Sequence, residues 1–328
     1  MDWVKATRSD VVRNAAGTVD VYRGSYLESV HSFLACIADA DGNVIEAHGG
    51  VDQIFPVRSL AKPFIAAELV RSGTAEAFAF TDAELALSAG SHDGEPIHVA
   101  AVLALLRRLD LDESVLQCGP AMEGKVLVGT PAANNCSGKH AAILAMCRHE
   151  SLVYESYLDP LHPIQQRLLA RLFLDFSCPS DTAIATDGCG LPIFGSSLKN
   201  IAVAYARFGV STEESTAAIR LAMTTRPEFM GGTHANLDTN VICNSGGAVL
   251  GKIGAEGLHA DTIVGTGIGI AIKICDGNSR AIGPALVQTL EKPLQRAHGD
   301  SPWLREFALL TVTNASGTTV GQIVARAK

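Results

Sequence analysis

"SFLACIADADGNVIEAHGG", residues 32 to 50, sets two largely apolar runs on either side of an Asp-Gly pair. Such a step between runs of strand length signals a hairpin, because glycine accepts the positive φ that tight turns require. The reading is two antiparallel strands at the start of a sheet. A second sheet-like stretch lies far downstream. "GGAVLGKIGAEGLHADTIVGTGIGIAIKICDG", residues 246 to 277, holds two or three short apolar runs punctuated by glycine, with an apolar helix after it from Arg280 to Leu290. "TTVGQIVARA", 318 to 327, reads as a last strand.

Between these ends the apolar spacing is helical. Ser59 to about Arg71 carries it and stops near Gly73, and Thr81 with Glu84 makes a capping-box signal for the next helix. The pattern continues over 97 to 109, 139 to 149, 162 to 176, 196 to 208 and 212 to 225. Strands at both ends around a helical middle predict an α+β fold: one antiparallel sheet covered by helices, plus an all-helical lobe, with a site in the cleft between them. A single domain over 1–328 is expected, its sheet part about 1–75 and 240–328 and its helical lobe about 76–239.

The composition narrows the partners. The chain has 328 residues, 47% of them hydrophobic and 18% charged, which suits a folded enzyme and excludes general disorder. A net charge of −8 and no Lys/Arg cluster exclude a phosphate-backbone binder, so no nucleic acid is expected. No apolar run reaches the roughly 18 residues of a membrane span, and the charged start "MDWVKATRSDVVRN" does not resemble a signal peptide. A cytoplasmic protein is expected, with its eight cysteines as thiols. Gly265-x-Gly-x-Gly sits inside a strand-like run with no helix start, which argues against a dinucleotide fingerprint.

Three runs can carry chemistry. In "RSLAKPF" (58 to 64), Ser59 and Lys62 are three apart at a helix start and so share a face. A serine hydroxyl needs a base, and a lysine with a lowered pKa supplies one, while helix N-terminal amides steady an oxyanion. Ser91 in "SAGSHDGEP" offers a second hydroxyl and Lys252 in "GKIGAEG" a second amine on a strand, with Lys273 as the competing choice. In "NNCSGKH" (134 to 140) and "TDGCGLP" (186 to 192), Cys136 and Cys189 stand in polar surroundings rather than apolar ones. A thiolate from each plus a third donor would make a zinc site with one open position. Spacing nominates His140 as that donor, since Cys136 and His140 are i, i+4 on a helix. Isolated His31, His92 and His98 read as hydrogen-bonded structural residues.

Together "ESVH" (28 to 31), "RSLAKPF", "SHDGEPIHV" (91 to 99), "CG" at 118, "NNCSGKHAAILAMC" (134 to 147), "HPIQ" (162 to 165), "DGCGLPIF" (187 to 194) and "KIGAEG" resemble the asparaginase II family of the Rhizobium etli type. The resemblance implies hydrolysis of L-asparagine to L-aspartate and ammonia, on a fold similar to serine β-lactamases and penicillin-binding proteins, as a homodimer. It implies Ser59 as nucleophile with Lys62 as base, and Ser91 paired with Lys252. It further implies zinc held by Cys136, Lys139 and Cys189, so that Lys139 replaces His140 as the third donor. His140 and Asp187 then lie close by and, with Arg58, face substrate. The asparagines of "NNCSGKH" are expected to shape its turn. Two positions depart from the pattern: Asn236 stands where a basic residue is expected and Arg226 where a histidine is commoner. Rival readings are a glutaminase or β-lactam-binding enzyme on the same scaffold, or a non-catalytic sensor of zinc or amino acids.

Overall fold

The structure is a computed structural model that describes residues 17–123, 126–234 and 236–327. The chain divides into two compact units, one from 17–55, Ser196–Val210 and 253–327, the other from Pro56–Gly195 and Ser211–Lys252.

The first unit is built on an antiparallel sheet of β1 (Gly17–Arg23), β2 (Tyr26–Asp39), β3 (Val44–His48), β4 (Leu258–Ile263), β5 (Ile268–Ile274), β6 (Leu309–Thr313) and β7 (Thr319–Ala327). The spatial order is β6-β7-β1-β2-β5-β4, with β3 also paired to β2. The quoted stretch forms the β2-β3 hairpin, with Ala35 opposite His48. Its turn is closed by Asp39, whose carboxylate accepts from the backbone of Asp41 and Asn43, while Gly42 takes φ +98°. Phe33 to Ala38 and all of β4 are buried without alternation, so both faces of the sheet's middle are covered. Helices Leu198–Val210 and Ile282–His298 supply that cover, both packing on β5.

The second unit is mainly helical: α1 (Lys62–Arg71), α2 (Asp82–Ala89), α3 (Pro96–Arg108), α4 (Ser137–His149), α5 (Pro163–Asp175), α6 (Glu214–Thr225) and α7 (Leu237–Asn244). The Thr81 and Glu84 signal is realised as a reciprocal capping box at the start of α2, a device that contributes about 1 kcal/mol. Unlike the all-helical lobe expected, the unit also carries two short ribbons, one pairing Met122–Glu123 with Val126–Leu127 and one pairing Ile184–Thr186 with residues 192–194. Phe64, Phe173, Phe176 and Phe194 stack edge-on or tilted beneath the second ribbon.

The division of the chain differs from the sequence grouping at three places. Residues 56–75, with the Ser59 to Lys62 turn, and residues 240–252 belong with the helices, and helix Leu198–Val210 belongs with the sheet. Apolar periodicity identifies the buried side of a helix but not its packing partner.

Candidate active site

Ser59 lies on a 3₁₀ turn, Arg58–Ala61, and α1 begins only at Lys62. Pro63 explains the break, because it lacks the N–H that an α-helix continuing from Ser59 would use, yet fits the first turn of α1. Residues three apart eclipse in a 3₁₀ turn, so Ser59 and Lys62 share a side. The backbone N–H of Lys62 donates to the Ser59 carbonyl. Arg58, directly before Ser59, has φ +48°, an uncommon conformation for an arginine. Its guanidinium ion-pairs with Asp187.

The Lys62 side chain is fully buried. Its Nζ donates to Ser91 Oγ at 2.8 Å and to the Asn135 carbonyl at 2.8 Å. Burial, with the Lys139 and Lys252 ammonium groups, pulls its pKa down to about 8 against the pull of Cys136. Lys62 is thereby the amine poised to exchange a proton near neutrality. The expected Ser91 and Lys252 couple takes another form: Lys252 Nζ sits 2.7 Å from an Asp238 carboxylate oxygen, both groups buried. Lys252 shares the helical unit with Ser59, Lys62 and Ser91, and its charge reaches Lys62. Lys273 lies in the sheet unit, where its amine bonds the carbonyls of Glu256 and Ile274 at 2.6 and 2.5 Å.

Cys136 and Cys189 are both buried and hydrogen-bond each other through their thiols. That bond, with Lys62 and Lys139, holds Cys136 well below the usual thiol range, while the same bond and burial push Cys189 up. Lys139 Nζ donates to Cys189 Sγ at 3.3 Å, and Cys189 Sγ lies 3.7 Å from Asp187 Oδ2. Burial opposes the Lys139 charge, but the two cysteines and Asp187 outweigh it and raise its pKa. Asp187 is held below the usual carboxylate range by Lys139 and Arg58, against burial. Gly190, at φ +86°, closes the turn that presents Cys189, donating its N–H to the Asp187 carbonyl. Among the described residues no group of three His, Cys, Asp or Glu is arranged for a metal.

Asn134 shapes the turn before α4, as expected: its Oδ1 accepts from the Cys136 N–H at 2.9 Å and its amide bonds the carbonyls of Cys118 and Pro120. His140 is buried, with Nδ1 2.6 Å from Tyr157 Oη, and its Nε2 has no hydrogen-bond partner among the described residues. Gln117 N–H donates to that same Tyr157 oxygen, so the tyrosine proton is free to go to His140 and leave the imidazole N–H on Nε2. His92 bonds Ser137 and the Gly94 N–H, His98 bonds Glu228 and Glu95, and His31 sits between Asp276 and Arg280.

One cleft of about 540 Å³ is bordered by residues of "SAGSHDGEP", "NNCSGKH" and "TDGCGLP": His92 and Asp93, Asn134 and Asn135, and Gly188. Sequence reasoning missed Asp93, the partner of Asn236. Asn236 caps α7 through Oδ1, and its Nδ2 donates to both Asp93 carboxylate oxygens. Arg226, the other departure, pairs with Glu228 and lies over the Phe229 ring.

A buried amine bonded to a serine hydroxyl, in the same unit as a pair of buried thiols, is an arrangement that can move protons. The L-asparaginase II family profile matches residues 19–325, and the chain belongs to that family. No curated protein matches it. Among solved structures it is similar to Mglu in its native form in 4.3 M NaCl, at 14% identity and a TM-score of 0.43, covering 87% of this chain and 66% of that one. A β-lactamase from Mycobacterium bovis is similar at 13% identity and a TM-score of 0.34, covering 78% of this chain and 94% of that one. The chain thus spans just under two thirds of the length of Mglu. No helix among the described residues is long and apolar enough to cross a membrane.

Proposed function

We propose that this protein is an L-asparagine amidohydrolase, releasing L-aspartate and ammonia through serine and lysine chemistry. The observation that carries the reading is the Lys62 amine, buried directly after the turn that bears Ser59, hydrogen-bonded to Ser91 and pulled down to about 8 by burial. Neutral Lys62 takes the Ser59 proton as that oxygen attacks the side-chain amide carbon. Ser91, already bonded to Lys62, then relays a proton to the departing nitrogen, which leaves as ammonia. Water repeats the sequence on the acyl-enzyme.

Zinc is part of the proposal. Cys136, Cys189 and Lys139 supply one thiolate, one thiol and one amine in contact, a set that fits the ion once the thiol and amine lose their protons. When bound, zinc adds a fixed positive charge that helps position an anionic or amino end of the substrate. Arg58, Asp187 and His140 surround that position and are assigned to substrate contact. A cytoplasmic homodimer is the working assembly that the family resemblance supports.

The test is ammonia release from L-asparagine and, separately, L-glutamine, by the protein and its Ser59→Ala variant. Release from asparagine that vanishes in the variant supports the reading. Release that survives Ser59→Ala but vanishes in Ser91→Ala would move the nucleophile to Ser91, the hydroxyl that Lys62 contacts directly. No release from either amide overturns the hydrolase assignment and favours a binding role.

A further inference from the structure

We propose that the Asp93 carboxylate is the anchor for the α-ammonium group of the substrate, oriented but not neutralised by the Asn236 side-chain amide. The inference rests on the amidohydrolase reading and adds to it the group that selects free amino acids over their deaminated analogues.

Four observations carry it. Asp93 lines the cleft together with Asn134, Asn135 and Gly188, the neighbours of Cys136 and Cys189, and stands two residues after Ser91. The N–H groups of Ser91 and Asp93 are both tied to one neighbouring segment, donating at 2.7 Å to the carbonyls of Met230 and Gly231. The intervening His92 is buried and bonded to Ser137, and Ser91 is bonded to Lys62, which leaves Asp93 as the charged side chain this segment gives the cleft. Second, among the described residues Asp93 has no ion pair; its side-chain hydrogen bonds come from Asn236 Nδ2, at 3.3 and 3.2 Å. An amide donor fixes the plane of a carboxylate without cancelling its charge, which a guanidinium or ammonium there would do.

Third, Asn236 has no freedom to turn away. Its Oδ1 accepts from the N–H groups of Asp238 and Thr239 at the start of α7, which fixes Nδ2 toward Asp93. Fourth, the backbone is cut to let the two meet. A Cβ at Gly231 would stand 2.1 Å from Asn236, and one at Gly232 would stand 2.5 Å from Asp93 Oδ2. Asp93 is exposed in the cleft, and desolvation with the Glu95 and Asp238 carboxylates raises its pKa against the bond from Asn236 and the nearby His98. A primary ammonium arriving through the cleft supplies the opposite charge.

The experiment compares L-asparagine with succinamic acid, the same amide with hydrogen in place of the α-amino group. It uses the full protein, the isosteric Asp93→Asn variant, and Asn236→Ser, which keeps an N-cap oxygen but removes the amide Nδ2 that reaches Asp93. Expected for Asp93→Asn is a rise of about 30-fold in KM for L-asparagine with kcat within a few-fold. The preference for asparagine over succinamic acid should fall by the same factor, and Asn236→Ser should give a smaller shift in the same direction. Equal losses for both substrates, or an unchanged preference, overturn the anchor while leaving the hydrolase reading intact. If the unaltered protein hydrolyses neither compound, the hydrolase reading fails. Calorimetric titration with L-asparagine then decides the anchor: weaker binding to Asp93→Asn supports it, and equal binding overturns it.

Discussion

Lys62 donates from Nζ to Ser91 Oγ, a residue 29 positions away, whereas Ser59, three positions away, meets Lys62 through backbone atoms, its carbonyl accepting the Lys62 N–H. The amine is thus bound to the second hydroxyl, and the proposed mechanism has it accept a proton from the first.

Activity should follow the neutral form of Lys62. With its pKa lowered to about 8, roughly one amine in ten is neutral at pH 7 and most are neutral above pH 9. The sign is a gain with rising pH: kcat/KM for L-asparagine climbs about tenfold per unit below pH 8 and levels above it. Rates measured from pH 6 to 9.5 test this. A profile that is flat across pH 7 to 9 removes Lys62 as the base.

Replacing Ser91 by alanine deletes the hydroxyl that Lys62 contacts but leaves the Asn135 carbonyl to hold the amine. Turnover should drop about 10²- to 10³-fold, the range for losing a positioned proton relay. The melting temperature should stay within a few degrees. An equal loss of stability and activity would make Ser91 a structural hydroxyl instead.

Lys252 and Asp238 bury opposite charges 2.7 Å apart. Lys252→Met removes the ammonium and leaves the carboxylate behind, at a cost of about 3 to 5 kcal/mol in unfolding free energy. The double change Lys252→Met with Asp238→Asn should recover a large part of that loss. Urea unfolding of the single and double variants reads the difference, and a single variant as stable as the parent contradicts a tight pair.

Zinc content provides an activity-independent check on the thiol site. Protein dialysed against zinc and then against buffer should retain about one ion per chain by elemental analysis. Cys136→Ser and Cys189→Ser should each lose it, as should Lys139→Met, since the proposal makes the amine the third donor. Full retention in Lys139→Met would assign the third position to another group.

Much of this was legible in the chain. The Asp-Gly turn, the Thr81 and Glu84 capping box and the helices over the middle of the sequence depend on contacts within a few residues, and local pattern reads those well. The turn at Asn134 is of the same kind, a side chain bonding the backbone two residues on. The family profile from 19 to 325 agrees with the motif reading of "NNCSGKH" and "DGCG".

What the sequence determined by itself was therefore the α+β class, the order of elements and the runs that carry reactive groups, because each follows from backbone preference and apolar period over short spans. Tertiary structure alone decided the partnerships: Lys62 with Ser91, Lys252 with Asp238, Cys136 with Cys189, and Asp93 with Asn236. A lysine or carboxylate carries no local mark of which distant group it will meet. Its partner is settled only when packing removes water and leaves the buried charge no cheaper neighbour.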